Sequence, residues 1–238
     1  MVAVPHTLRG VRHSDDSGTL ADRTCAEIRA GVLTGTFEPG SPLRPAALAE
    51  SLRVSPTVVR ESLVRLTREH IVQSDPHRGF RVRTLSVEDL QDLTRVRVEI
   101  ECLAVKWSIE RGDLAWESEL VSAHHTYAAT VKATSGDVTR ADELGDAHGR
   151  LHEAIVAACG SAHLLDIRAS LFGAAELYRR WTRYRRGVRR DVLAEHRALV
   201  DACLARDVDA ATTLMASHIE RTAELVLGSL STATPVPT

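Results

Sequence analysis

A serine followed by a proline, Ser55-Pro56, separates two apolar stripes at helical spacing: Leu48, Ala49 and Leu52 before it, Val59, Leu63 and Leu66 after it. Serine is a favoured helix N-cap, and proline suits the first helical position, where its missing N–H is no loss. The spacing therefore predicts a helix starting at Ser55, joined to the preceding one through a tight turn at Arg53-Val54. Two short helices packed through so short a connection form a helix-turn-helix.

The exposed face of the second helix presents Ser55, Thr57 and Arg60. The first turn of such a helix is where base edges and phosphates are met, which makes Arg60 the candidate base reader. Downstream, Ile71-Val72 and Phe80 to Val82 flank Asp75-Pro-His-Arg-Gly79, and Phe80 and Val82 alternate with Arg81 and Arg83. That pattern predicts a β-hairpin wing with arginines on its outer face and Arg78 and Gly79 in its turn. Charge follows the same division: residues 1 to 84 hold 12 Arg against 9 acids, a net of +3, within a chain whose overall net charge is −2. Positive charge is concentrated where phosphate contact is expected.

Leu33, Pro39-Gly40, Leu43, Leu48-Ala49, Val54-Ser55, Val59-Arg60-Glu61, Leu63, Leu66 and Gly79 together resemble the GntR family of bacterial transcription regulators, over roughly residues 20 to 84. The resemblance implies a winged helix-turn-helix of three helices and a small β-hairpin wing that binds a double-stranded DNA operator. Two positions depart from the family pattern. Pro56 stands where an arginine usually follows the capping serine, and Ala46 replaces an arginine of the preceding helix. Both substitutions remove common DNA contacts and imply an altered operator, with Arg44 and Arg53 as substitute phosphate contacts.

At 238 residues the chain has room for one large or two modest domains. Long Ala/Leu/Arg/Glu stretches with few Gly or Pro, at 44% hydrophobic and 26% charged residues, favour a mainly α protein. Cys25, Cys102, Cys159 and Cys203 are far apart and form no paired metal motif, which fits buried thiols in a reducing compartment. No apolar run reaches membrane-spanning length and the first 20 residues lack a signal-peptide core, so the cytoplasm is the expected location. The division expected is a flexible tail at 1–18, the DNA-binding domain at 19–84, an all-α domain at 85–230 and a second tail at 231–238.

From Ser86 the pattern changes to successive amphipathic helices, the first opened by a capping box, Ser86-Val-Glu-Asp89. Its core stripe runs Leu93, Arg97, Ile100, Ala104 and Trp107, so Arg97 sits at an inward position. A buried arginine needs an anionic partner. Glu101, one turn on, supplies it as an i,i+4 ion pair, or a carboxylate-bearing effector does. Further helices are predicted over about 114–132, 140–159, 164–183, 191–205 and 207–230, giving a bundle of about six.

Histidines recur on the inward stripes. His148 lies with Leu144, Leu151 and Ile155, and His152 one turn beyond it; His196 lies with Val192, Leu199 and Cys203; His218 lies with Ala211, Met215 and Leu225. Four imidazoles from three helices thus point inward, as either satisfied core residues or ligands that could chelate one ion. Residues 86 to 230 resemble the FCD ligand-binding domain of the FadR subfamily, through Arg97-Val-Glu-Ile-Glu101, Leu151-His152-Glu-Ala-Ile155, Glu195-His196-Arg-Ala-Leu199 and His218-Ile219. That resemblance implies a homodimer and a metal held by an Asp and three His, with a small organic acid completing the coordination. His152, His196 and His218 match the three His positions, while His148 takes the place of the Asp. A nitrogen ligand there favours zinc or nickel over manganese or magnesium, or marks a centre that has lost its metal.

The run from Arg179 to Arg190 interleaves arginines with Trp181 and Tyr184. It reads as a solvated basic helix end complementing the dipole, or as a surface for DNA or an anionic effector. Together these features describe a DNA-binding regulator, a repressor by resemblance, whose operator affinity is set by an effector. A helical metal-dependent hydrolase is the alternative. Against it, His152-Glu153 lacks the second His of a zinc-protease helix, and the inward stripes offer no evident general acid or base.

Overall fold

The computed structural model describes residues 19–76, 78–134, 140–183 and 191–231. Both predicted tails lie outside these residues except for Ser231. The described chain is mainly α, with a winged helix-turn-helix followed by six further helices.

Helix α1 (Leu20–Leu33) is opened by a capping box: Thr19 Oγ1 accepts from Asp22 N–H (3.2 Å), and the Asp22 carboxylate accepts from Thr19 N–H (2.8 Å). Strand β1 (Pro42–Leu43) leads into α2 (Pro45–Leu52), which ends on Arg53 in the left-handed conformation, φ +56°. That residue sharpens the expected turn, and Val54 N–H closes it on Ala49 C=O at 3.0 Å. Helix α3 (Pro56–Arg68) starts as predicted, with Ser55 Oγ accepting from Val58 N–H at 3.3 Å and Pro56 in the first turn.

Val59, Leu63 and Leu66 are fully buried against Ile28 and Val32 of α1 and Leu48 of α2. Each such side chain contributes roughly 1.5–3 kcal/mol. Close approach of α1 and α3 is possible because buried Ser62 turns its hydroxyl to Val58 C=O (2.9 Å), with Ala21 C=O at 3.2 Å. Strands β2 (Val72–Asp75) and β3 (Gly79–Val82) form the predicted hairpin, paired Val72 to Val82 and Asp75 to Gly79. Gly79 is needed at its turn, where φ is +76°. The sheet has a third strand that the alternation did not reveal: β1 adds antiparallel to the other edge of β3. Two residues are too few to show a period.

Arg81 and Arg83 differ from their expected place on the outer face of the wing. Arg81 Nη1 donates to Gly40 C=O (2.8 Å), in the loop before β1, while Arg83 pairs with the Asp89 carboxylate.

Contacts sort the described chain into two units, residues 19–93 with 169–183 and 229–231, and residues 94–168 with 191–228. Helices α4 (Val87–Arg111) and α7 (Ala162–Arg183) contribute residues to both. In the first unit Leu177 of α7 joins the winged-helix core, and Ser170 Oγ donates to the C=O of Arg68, the last residue of α3 (3.0 Å). The capping box at Ser86 is half made. Its hydroxyl accepts from Asp89 N–H (3.0 Å), but Ser86 N–H donates to Tyr178 Oη (3.1 Å), and that hydroxyl in turn lies 2.7 Å from Asp89 Oδ2.

The second unit is formed by helices α5 (Leu114–Ala133), α6 (Ala141–Val156), α8 (Val192–Leu204) and, up to Gly228, α9 (Val208–Ser231), with parts of α4 and α7. Leu120, Leu151, Ile155, Leu199 and Met215 lie at the centre of its core. Among the described residues no helix is long and apolar enough to cross a membrane.

Candidate DNA-reading surface and histidine centre

In the first unit Ser55, Thr57 and Arg60 are exposed at the start of α3, opposite the buried face of Val59, Ser62 and Leu63. Arg53, in the turn, and Arg44, at the N-cap of α2, are also exposed. Arg78 and Gly79 stand exposed at the hairpin turn, where Arg78 N–H donates to Asp75 C=O (3.2 Å). Pro56 and Ala46 are exposed as well, so neither was placed by packing needs. Arg65 is occupied internally, bridging Asp22 of α1 and Glu61 of α3, each at 2.6 Å.

The second unit brings His148 and His152 of α6, His196 of α8 and His218 of α9 to one point. All four are buried, and a set of one nitrogen from each lies within 4.8 Å. His152 Nε2 and His196 Nε2 are 3.2 Å apart. Neighbouring nitrogens on a tetrahedral zinc, at about 2.0–2.1 Å from the ion, lie about 3.4 Å apart, so this pair already stands at a ligand spacing while the full set, spread over up to 4.8 Å, must draw in around an ion.

Two rings are oriented by partners that can only accept. His196 Nδ1 lies 2.8 Å from Val192 C=O, one turn back on α8, and His218 Nδ1 lies 3.2 Å from Glu195 Oε2. Each Nδ1 therefore carries a hydrogen, and in the neutral ring Nε2 is left with its lone pair. Between the facing Nε2 atoms of His196 and His152 there must then be either a proton on His152 or a cation. Burial, followed by the fields of His218, His196, Arg168 and Arg97, pushes His152 well below the usual histidine range. It is held neutral, the form that ligates metals. Tyr127 of α5 is buried with its ring edge-on to His196, centroids 4.8 Å apart, and walls one side of the cluster. The donor set, its burial and its oriented rings fit a transition-metal ion.

Arg97 is buried as its stripe position predicts, and the simpler of its two expected partners is present: Nη2 lies 3.3 Å from Glu101 Oε1. The other Glu101 oxygen takes Arg168 Nε of α7 at 2.8 Å. These two guanidiniums and this one carboxylate are all buried.

Sequence reasoning assigned no role to Arg168, Glu195 or Tyr127. Arg168 had the signal that exposed Arg97, a cation one helical turn from Leu164 on an apolar face, and Glu195 stands beside a ligand candidate. Tyr127 had none.

Of the basic run, Arg179 and Arg180 both hold Glu176, whose carboxyl burial would raise but whose arginine partners keep below the usual range. The side chains from Trp181 to Arg190 lie outside the described residues. Cys25, Cys159 and Cys203 are buried, but Cys102 is only half-buried, its Sγ lying 3.4 Å from Thr212 C=O. Burial raises the thiols of Cys102 and Cys203 to about 11 and about 12, so both stay protonated and unreactive.

Residues 20–82 match the family described as bacterial regulatory proteins, gntR family, and residues 92–221 match the FCD domain. The chain is 34% identical over 209 residues to the HTH-type transcriptional regulator BphR of Paraburkholderia xenovorans, covering 87% of this chain and 85% of that one. This chain belongs to the GntR family of bacterial transcription regulators. It is also 31% identical to the HTH-type transcriptional repressor GlaR of Escherichia coli, over 81% of this chain and 89% of that one. Solved structures share the fold. Escherichia coli McbR/YncC superposes with a TM-score of 0.74 at 20% identity, over 90% of this chain and 99% of that one. A putative GntR regulator from Rhodococcus sp. RHA1 gives 0.70 at 25% identity, over 87% and 97%. As a GntR member with an FCD domain, the protein is a DNA-binding transcription regulator and not an enzyme, and the hydrolase reading finds no support in its relatives.

Proposed function

We propose that this regulator is a homodimeric repressor whose hold on its operator is set by a small carboxylate-bearing effector, bound beside a transition-metal ion held by His148, His152, His196 and His218. The observation that carries this reading is the convergence of four buried imidazoles within 4.8 Å, two of them with Nδ1–H already engaged. An all-nitrogen ligand set suits zinc or nickel. The ion, when bound, supplies a positive anchoring point for a carboxylate. Arg97 and Arg168 add to it, being buried cations whose field reaches His152.

On the DNA side Arg60 reads a base edge from α3, with Ser55 and Thr57 at the same helix start. Arg44, Arg53, Arg78 and the Gly79 backbone hold phosphates. Two copies place two such helices on a roughly palindromic site, and an effector acts by favouring one arrangement of the helical domain over another. Repression follows the name given to GlaR. The cytoplasm is the compartment in which such a protein meets its operator.

The test is elemental analysis of protein purified without a nickel column, followed by thermal-shift screening of small organic acids with and without a chelator. The expected result is about one metal per chain and stabilisation by acids that the chelator weakens. A metal-free protein that binds the acids equally well would sink the metal half of the proposal.

A further inference from the structure

The structure assigns Glu195 as the positioning carboxylate of the histidine centre: it fixes His218 with Nε2 toward the other three rings and supplies negative charge that four imidazoles lack. This rests on the metal reading above. The first turn of α8 makes the placement possible. Asp191 caps that turn through Ala194 N–H (3.0 Å), which fixes the backbone of three successive contributions: Val192 C=O, which orients His196; His196 itself; and Glu195 between them. Glu195 then reaches across to α9, where Oε2 accepts from His218 Nδ1–H at 3.2 Å.

The second oxygen of Glu195 faces Arg221 Nη1 at 3.6 Å. The two contacts are not equivalent. His218 is 9% exposed and Arg221 62% exposed, so the interaction with His218 is shielded from solvent and that with Arg221 is screened. Four neutral imidazoles leave a bound dication its full charge in a buried place, offset by no ligand carboxylate. A carboxylate hydrogen-bonded to a ligand imidazole offsets that charge and raises the basicity of the ligating nitrogen. Glu195 does both through one hydrogen bond.

The experiment uses the full chain, stripped and reloaded with Zn2+ or Co2+, and compares wild type with Glu195→Gln and Arg221→Ala. Zinc affinity is read by competition with a chromophoric chelator, and ligand geometry by the visible absorption of the cobalt form. Glu195→Gln is expected to weaken zinc roughly 10–100-fold and to alter the cobalt bands, whereas Arg221→Ala stays within about twofold of wild type. The metal-free forms are expected to melt together, and if Glu195→Gln melts early, Glu195→Asp, which keeps the charge but draws it back by one methylene, is expected to show a smaller zinc loss. Zinc affinity of Glu195→Gln within about twofold of wild type would overturn the assignment, and so would a Glu195→Asp loss as large as that of Glu195→Gln, or an Arg221→Ala loss as large, since Glu195 would then be a surface ion-pair partner only. A wild-type protein that takes up neither ion overturns the metal reading along with it.

Discussion

Glu101→Gln probes the buried charge of the helical domain with almost no change of shape. Glu101 is fully buried, with Arg97 Nη2 3.3 Å from one oxygen and Arg168 Nε 2.8 Å from the other. The amide leaves two guanidiniums facing a neutral group that can accept from only one of them. Breaking a buried ion pair costs about 3–5 kcal/mol. The retained acceptor places this change near the lower end, about 3 kcal/mol, or a fall in Tm on the order of 10 °C for a chain of this size. Circular dichroism melts in the presence of a chelator measure it without interference from metal. The same variant removes one buried negative charge from between the two guanidiniums, so an added dicarboxylate is expected to raise its Tm more than that of wild type. Arg168→Met is expected to lose stability comparably but to lose the anion response as well. A Glu101→Gln shift below about 2 °C would refute the energetic argument. A large shift with no enhanced anion response would refute the use of Arg97 and Arg168 as an effector anchor.

In the first unit, burial would raise the Asp89 carboxyl, but hydrogen bonds from Arg83 and Tyr178 outweigh it and hold it below the usual carboxylate range. Because its folded value lies below its unfolded one, its contribution to stability is present above about pH 4 and is lost as pH falls through the folded value. Urea midpoints of Asp89→Asn are expected to fall less steeply than wild type in that acid window; an unchanged slope would refute the pairing. Arg60→Ala is expected to weaken operator binding by about 1–3 kcal/mol and relax discrimination at one base pair. If Arg60 touches only phosphate, binding weakens evenly and the log–log salt slope drops by about 0.9; no change in either in a mobility-shift assay excludes it from the interface. Leu63→Ala, at the fully buried centre of α3, is expected to cost about 2–5 kcal/mol in a urea melt.

The helices were legible in the sequence because amphipathic periodicity and end signals agree. Ser55-Pro56 opens α3 as the local chemistry requires, and the six later helices begin and end within a few residues of their predicted bounds where they are described. Strand β1 was not legible, since two residues paired to β3 carry no pattern of their own. Nor was the role of α7. Leu177 occupies a periodic apolar position that any partner could cover, and only the folded chain shows that it belongs with Val59 and Leu66.

The histidine centre shows where pattern reading stops. The stripes gave each ring its inward direction, because period and direction are local properties of a helix. Which atoms orient the rings depends on the contacts each helix makes. His196 finds its partner on its own helix, four residues back, a spacing visible in the sequence, while His218 finds its partner 23 residues away on another helix. Glu101 makes the same point from the charged side: an i,i+4 spacing announced Arg97, but the second arginine arrives from 67 residues further on. Counting charge along the chain gave the DNA-binding part its positive sign, whereas the buried grouping around Glu101 emerges only when α4 and α7 meet. Glu195→Gln therefore probes the proposed centre without touching its four histidines, whereas Glu101 and Arg168, paired across α4 and α7, tie the buried charges to stability.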